Sequence, residues 1–363
     1  MNIKSREVRS CSPLKIREVH CYLVEPVRGQ AAAEFRSLLI QVIGPEGLEG
    51  WGEGHSRWSK AEWSGRHQAL AALLVGRSPF EIEELSTLEL LRHGWLRSAV
   101  EMACWDLIGK GLGEPVCHLW GGRFRSYVPL GARLPGWMSP ENLGPFAREL
   151  AEQGFHALLL PSRGYIQADT EQVATVREAA GQGCRLYLDA AAQYSEPDAQ
   201  DLGVGLESYG LHGLIDPLRS SEVYTLAGFA RQTAVPIGLH RALVSLLQVF
   251  GAVRSGAGAF LVLDADRLGG LTMLRKAAAV AEAAGVPVLL HEAGGVGIRL
   301  AALVHLSAAV SFLDQPCFTY AYRGGYEPLC RGLEIVEGMA AVPEGPGWGV
   351  EFDSAKLEEW LLG

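Results

Sequence analysis

Paired cysteines, clustered basic residues and long apolar runs are all scarce in this chain. The seven cysteines, at positions 11, 21, 104, 117, 184, 317 and 330, are odd in number and never spaced C-x-x-C. Neither a disulfide framework nor a zinc site is indicated, and they read as buried or incidental thiols. Lys and Arg total 32 against 41 Asp and Glu, a net charge of −9, and nowhere form a block. A broad phosphate-binding surface is thereby excluded, so nucleic acid and anionic membranes are not expected partners. The opening residues lack an apolar core, and the longest apolar-rich uncharged run, Leu300 to Leu313, is too short to span a bilayer. A cytoplasmic location is the expectation. What is abundant is core material: 363 residues, 48% hydrophobic, enough at about 150 residues per domain for two domains or one large α/β barrel with an addition.

From about residue 127, short apolar runs alternate with amphipathic segments, the signal of parallel β/α architecture. Eight runs read as strands: Val128 to Ala132, Ala157 to Pro161, Arg185 to Asp189, Gly213 to Asp216, Pro236 to His240, Phe260 to Asp264, Val286 to His291 and Val310 to Asp314. Stretches such as Leu271 to Ala284 and Ile298 to Ala309 carry apolar residues at helical spacing between them. Eight strands suggest a closed barrel. Six of them end in an ionisable residue: Asp189, Asp216, His240, Asp264, His291 and Asp314. In a β/α barrel the C-terminal strand ends ring one mouth, where active sites form, so these side chains are expected to converge. The structural alternative is that an Asp there caps the following helix or opens a turn.

Residues 14–125 read as an α+β domain. Lys15 to Val24 and Arg36 to Ile43 look like antiparallel strands, the second followed by a turn and Leu48-Glu-Gly-Trp-Gly-Glu, with a helix around Leu96 to Lys110. The expected organisation is a polar leader 1–13, this domain, a barrel over 126–330, and a segment 331–363 that packs back on the first domain.

Several stretches resemble one family. Leu48-Glu-Gly-Trp-Gly-Glu, Ala99-Val-Glu-Met-Ala-Cys-Trp-Asp-Leu-Ile-Gly-Lys, Leu119-Trp-Gly-Gly, Asp264-Ala-Asp-Arg-Leu-Gly-Gly-Leu-Thr and Pro346-Gly-Trp-Gly-Val look like the mandelate racemase and muconate lactonizing branch of the enolase superfamily. The resemblance covers nearly the whole chain. It implies an α/β fold, a modified (β/α)7β TIM-type barrel under an N-terminal α+β capping domain, assembled as a homo-oligomer. It also implies chemistry at the carbon alpha to a carboxylate, of racemase, isomerase or dehydratase type, on a small carboxylate-bearing substrate.

In that family, carboxylates ending the third, fourth and fifth barrel strands bind Mg²⁺. Only Asp189 matches here; Ile215 and Arg241 stand at the other two positions, and neither can ligate a metal. The lysine pair that many members carry on the second strand is replaced by Leu159 and Pro161, with Arg163 near the mouth. Asp264 and His291 do match the family's Asp-His dyad, in which a carboxylate fixes the imidazole tautomer and raises its basicity. Asp314 stands where such members place an acidic residue on the substrate carboxylate.

Three readings follow. In the first, an enzyme without the usual Mg²⁺, the catalytic pair is His291 and Asp264; Arg241, oriented by Asp189, and Asp314 and Arg163 bind the substrate, and no cofactor is expected. In the second, Asp189, Asp216 and His240 form a shifted metal site, opposed by strand register. The third is an enolase-like binding protein without catalysis. Over the mouth, the loop Glu25 to Glu34 and His55, Arg57, Trp58 and Lys60 are candidate lid residues, while Phe318, Tyr320, Tyr322 and Tyr326 are expected mainly to pack.

Overall fold

Strands β1 (Glu18–Val24), β2 (Ser37–Ile43) and β3 (Glu49–His55) form an antiparallel meander at the start of the computed structural model. The structure describes residues 14–25, 36–56, 58–292, 294–321 and 329–361. The leader 1–13, residues 26–35 of the lid loop, Arg57, Tyr322 and Tyr326 lie outside the described residues. The glycines of β3 let that strand lie directly on the helix Gly94–Leu112: a Cβ on Gly52 would sit 1.9 Å from the Ala99 carbonyl oxygen. Asp106 on this helix ties the resembling motifs together. Its buried carboxylate accepts from the backbone N–H of Trp51 (2.8 Å) and of Trp348 (2.9 Å) and from the Lys110 ammonium (2.7 Å). The Trp348 indole N–H in turn donates to the Trp51 carbonyl, and Trp51 stacks on Phe352. The C-terminal segment is thus packed against the first domain.

The barrel is built from β4 (Tyr127–Arg133), β5 (Ala157–Pro161), β6 (Arg185–Asp189), β7 (Gly213–Ile215), β8 (Ile237–Leu239), β9 (Phe260–Leu263), β10 (Val288–His291) and β11 (Cys317–Thr319). All neighbours are parallel, and β11 pairs with β4 to close the ring. One helix of at least eight residues follows each of the first seven strands, from Pro140–Glu152 to Ile298–Ala309, giving the (β/α)7β order.

The period-two alternation of each strand divides its apolar residues between two layers. Leu158, Leu160, Leu188, Leu214, Leu261 and Leu290 face the helices. Ala157, Leu159, Tyr187, Ile215, Phe260, Val262, Leu289 and Phe318 form a separate cluster inside the barrel. Phe260 fills the centre so closely that a Cβ on Gly238 would lie 2.3 Å from its ring, which is why β8 carries a glycine there.

The eighth strand differs from the sequence expectation. Val310 to Asp314 is the turn that precedes it, and the strand itself is Cys317–Thr319. The apolar residues in that turn are explained by Leu313, which is buried. Arg125 satisfies the turn's backbone, donating to the carbonyls of Ser307, Val310, Ser311 and Leu313. A turn with one buried apolar anchor and side-chain-satisfied carbonyls can have the composition of a strand without a ladder.

Candidate active site

A cavity of about 700 Å³ opens at the C-terminal ends of the barrel strands. Arg133, Asp189, His240, Arg241, Asp264 and His291 line it from the barrel, and His55 and Trp95 from the capping domain.

Inward register explains which charges meet. Counting by two from Tyr187, Gly238, Val262 and Leu289 gives Asp189, His240, Asp264 and His291, the residues one step above the apolar interior. His240 therefore faces inward on β8's own alternation, whereas sequence reasoning had placed Arg241 on the inward register and His240 off it. Beyond the strand end, Arg241 turns into the mouth. Its guanidinium bonds Asp189 in a fork, Nη1 to Oδ1 at 2.6 Å and Nη2 to Oδ2 at 3.2 Å, and Nη1 also reaches Asp216 at 3.1 Å.

Asp216 follows Ile215 in a left-handed backbone conformation, φ 46°. That reversal aims its carboxylate across to the next strand end, where it accepts from the backbone N–H of His240 (2.9 Å) and of Arg241 (2.8 Å). Asp216 thus fixes the segment that carries Arg241.

The electrostatics follow from burial and pairing. Burial pushes the Asp189 carboxyl up, but the adjacent Arg241 guanidinium outweighs it and holds the group below the usual range. Burial opposes the charge on Arg241, and Asp189, then Asp216, restore it and raise its pKa.

His291 Nδ1 lies 3.4 Å from Asp264 Oδ2. Burial, aided by Arg133, drives the imidazole down to about 3 against the pull of Asp264. For Asp264, burial raises the carboxyl, but its contact with His291 dominates and holds it low. The pair is thus a neutral imidazole beside an ionised carboxylate. Asp264 Oδ1 also accepts from the N–H groups of Asp266 (2.7 Å) and Arg267 (3.3 Å), capping the short helix Ala265–Leu268.

Two expected site residues stand elsewhere. Asp314 lies before β11, at the opposite end of the strand from the mouth; it is exposed and accepts from the Gln315 side chain. Arg163 spends its guanidinium on the carbonyls of Gly136 (3.2 Å) and Met138 (2.7 Å), bracing the loop after β4 rather than lining the cavity. Nor are Asp189, Asp216 and His240 gathered as a metal set; among the described residues, the one group of metal-ligating side chains placed close enough is His240, Asp264 and His291.

Sequence reasoning missed Arg133, which lies over the Tyr320 ring at 4.5 Å; Tyr320, expected mainly to pack, lines the cavity. Also missed was a buried network beneath the capping domain. Arg299 bonds Asp266 at 2.6 Å and Glu292 at 3.2 Å, while Glu53 accepts from the backbone N–H of Val296 and of Arg299. Burial lifts Asp266 to about 6 despite Arg299. Two of the network's members stand in motifs named above, Glu53 in Leu48 to Glu53 and Asp266 in the stretch that opens at Asp264.

The Mg²⁺ site of the resembling family does not fit these residues. Asp189 is paired with a guanidinium, Ile215 is packed in the apolar barrel interior, and the third position carries that guanidinium. The two carboxylates there, Asp189 and Asp216, are both engaged by the guanidinium, whose charge opposes a hard dication at the same place.

Comparisons with known proteins agree with the architecture. Residues 143–356 match the family described as enolase C-terminal domain-like, and residues 23–121 that of the mandelate racemase / muconate lactonizing enzyme N-terminal domain. D-galactarolactone cycloisomerase of Agrobacterium fabrum is 27% identical over 90% of this chain and 91% of its own length. D-gluconate dehydratase of Thermoproteus tenax is 26% identical over 89% of this chain and 69% of its own. The crystal structure of the 3,6-anhydro-D-galactonate cycloisomerase from Zobellia galactanivorans, 25% identical, superposes with a TM-score of 0.83 over 96% of this chain and all of that one. The chain belongs to the mandelate racemase/muconate lactonizing branch of the enolase superfamily, as an enzyme of isomerase or lyase type.

Proposed function

We propose that the protein moves a proton at the carbon alpha to the carboxylate of a small hydroxylated acid, with Arg241 binding that carboxylate where relatives hold Mg²⁺. The observation that carries this reading is the forked Arg241–Asp189 pair at the mouth. A guanidinium held in a plane by one carboxylate still offers N–H donors to another, and its charge is fixed.

His291 is the proton acceptor and Asp264 its orienting partner. By itself the imidazole is a weak base, because burial and Arg133 both oppose its protonation. An anionic substrate against Arg133 and Arg241 offsets those cations and raises the imidazole's basicity when it is needed.

Charge magnitude selects the reaction. One guanidinium carries half the charge of Mg²⁺ and is shared with Asp189 and Asp216, so a full enediolate dianion is poorly stabilised. Reactions in which negative charge does not accumulate suit this site better. In a dehydration, the α C–H electrons form the C=C bond as the β-hydroxyl leaves, and His291 returns the abstracted proton to it, giving water. An isomerisation fits only where the C–H electrons move on in the same step, as in a double-bond shift with the proton returned to another carbon; a stepwise one passes through the enediolate. The relatives named for D-galactarolactone and D-gluconate support sugar acids and their lactones as first substrates to try.

The test is proton exchange in D2O, followed by NMR on a panel of sugar acids and lactones with chelator present. The account expects loss of an α-proton signal, or dehydration, for at least one of them. Turnover that appears only on adding Mg²⁺ contradicts it.

A further inference from the structure

A second arrangement occupies the same layer. His240, Asp264 and His291 end three consecutive strands, β8, β9 and β10, and all three are buried. Each offers one potential ligand atom, and these atoms lie within 4.8 Å of one another. Two donors about 2.1 Å from a shared ion are at most about 4.2 Å apart. Side-chain rotations of under about an ångström therefore suffice to close the set.

The tautomer of His240 is already set for ligation. Its Nδ1 lies 3.1 Å from the Val262 carbonyl oxygen. A carbonyl only accepts, so Nδ1 carries the hydrogen and Nε2 holds the lone pair. This is the outer-shell arrangement that orients metal-bound histidines. The His240 and His291 rings are 4.6 Å apart, centre to centre.

Burial is the larger influence on His240 and keeps it neutral, as a ligand must be. Asp264, Asp216 and Asp189 favour positive charge beside it, while Arg267 there and Arg133 at His291 oppose it. Arg241 is committed to two carboxylates.

We propose that His240, His291 and Asp264 form a site for a first-row transition-metal dication, with Zn²⁺ or Co²⁺ as its reference ions, two strands round the barrel from the family's Mg²⁺ position. Two imidazoles and one carboxylate prefer such ions to Mg²⁺, which favours oxygen donors. One consequence rests on the proposed function: bound ion and turnover exclude each other. An ion on His291 Nδ1 breaks the contact with Asp264, and an ion on Nε2 takes the lone pair that accepts the proton.

The test reads the metal and not the activity, so it stands apart from the substrate assignment. Chelator-treated, dialysed protein is titrated with Co²⁺ and its visible d–d absorption recorded. One equivalent is expected to give the intense bands of low-coordinate Co²⁺, displaced by Zn²⁺ and untouched by excess Mg²⁺. His240→Asn and His291→Asn each weaken the affinity by more than about tenfold, while Asp189→Asn leaves the bands in place. Should either histidine variant fail to fold, paramagnetic resonance of the wild-type Cu²⁺ complex decides the question, since coupling to two imidazole nitrogens is expected. Absence of a Co²⁺ complex, an all-oxygen environment, or bands that survive His240→Asn would overturn the proposal.

Discussion

Arg241→Ala is expected to lose carboxylate binding by about thirtyfold or more, and at the same time to gain affinity for divalent cations. Truncating one member of a hydrogen-bonded charge pair costs about 2–5 kcal/mol, which is roughly thirtyfold to several thousandfold. Here the truncation leaves Asp189 and Asp216 facing a vacated slot without their cation. Their repulsion is relieved by whatever dication is present, so Mg²⁺ at millimolar concentration stabilises this variant against heat more than it stabilises the wild type. Arg241→Lys keeps the charge, loses the fork, and is expected to fall between the two. Calorimetric titration with the substrate identified in the exchange screen, with and without chelator, measures the first effect. Unchanged substrate affinity in Arg241→Ala refutes the role assigned to the guanidinium.

His291→Asn is expected to lower turnover by about two to four orders of magnitude, while substrate affinity changes little. Asparagine preserves a side chain that can hydrogen-bond Asp264 but removes the proton acceptor. The pH profile gives an independent check with a definite sign. In the free enzyme His291 stays unprotonated far below the ordinary histidine value of 6.5, down to about 3. The acid limb of kcat/KM, which reports the free enzyme, therefore lies well below pH 6.5. In the complex, the substrate anion offsets Arg133 and lifts the imidazole, so the acid limb of kcat lies at higher pH than that of kcat/KM. Coincident limbs near 6.5 argue that another group is the base.

Much of this fold was legible because barrel strands and helices differ in hydrophobic period, and seven of the eight expected strands stand where the apolar runs are. The eighth was misplaced because Leu313 is buried in a turn whose carbonyls are bonded by Arg125. Burial without a ladder looks like a strand in sequence. That one displacement carried Asp314 from the mouth to the far end of the barrel.

Strand period placed Asp264 and His291 at the mouth, but on β8 the inward register was assigned to Arg241 when it belongs to His240. The site was illegible where the backbone leaves the strand: the left-handed Asp216 and the reach of Arg241 past β8 have no periodic signature. Arg163 shows a third limit, since proximity to the mouth in sequence did not determine that its side chain braces the loop after β4. In the buried Arg299, Asp266, Glu292 and Glu53 network, Glu53 meets Val296 and Arg299 from over 200 positions away, which spacing cannot reveal.

If Arg241 stands in the place of the metal, chelator-treated wild-type protein titrated with Mg²⁺ shows no saturable binding at millimolar concentration, whereas Arg241→Ala binds the ion measurably. A wild-type Mg²⁺ site that disappears in Asp189→Asn would contradict that place for Arg241.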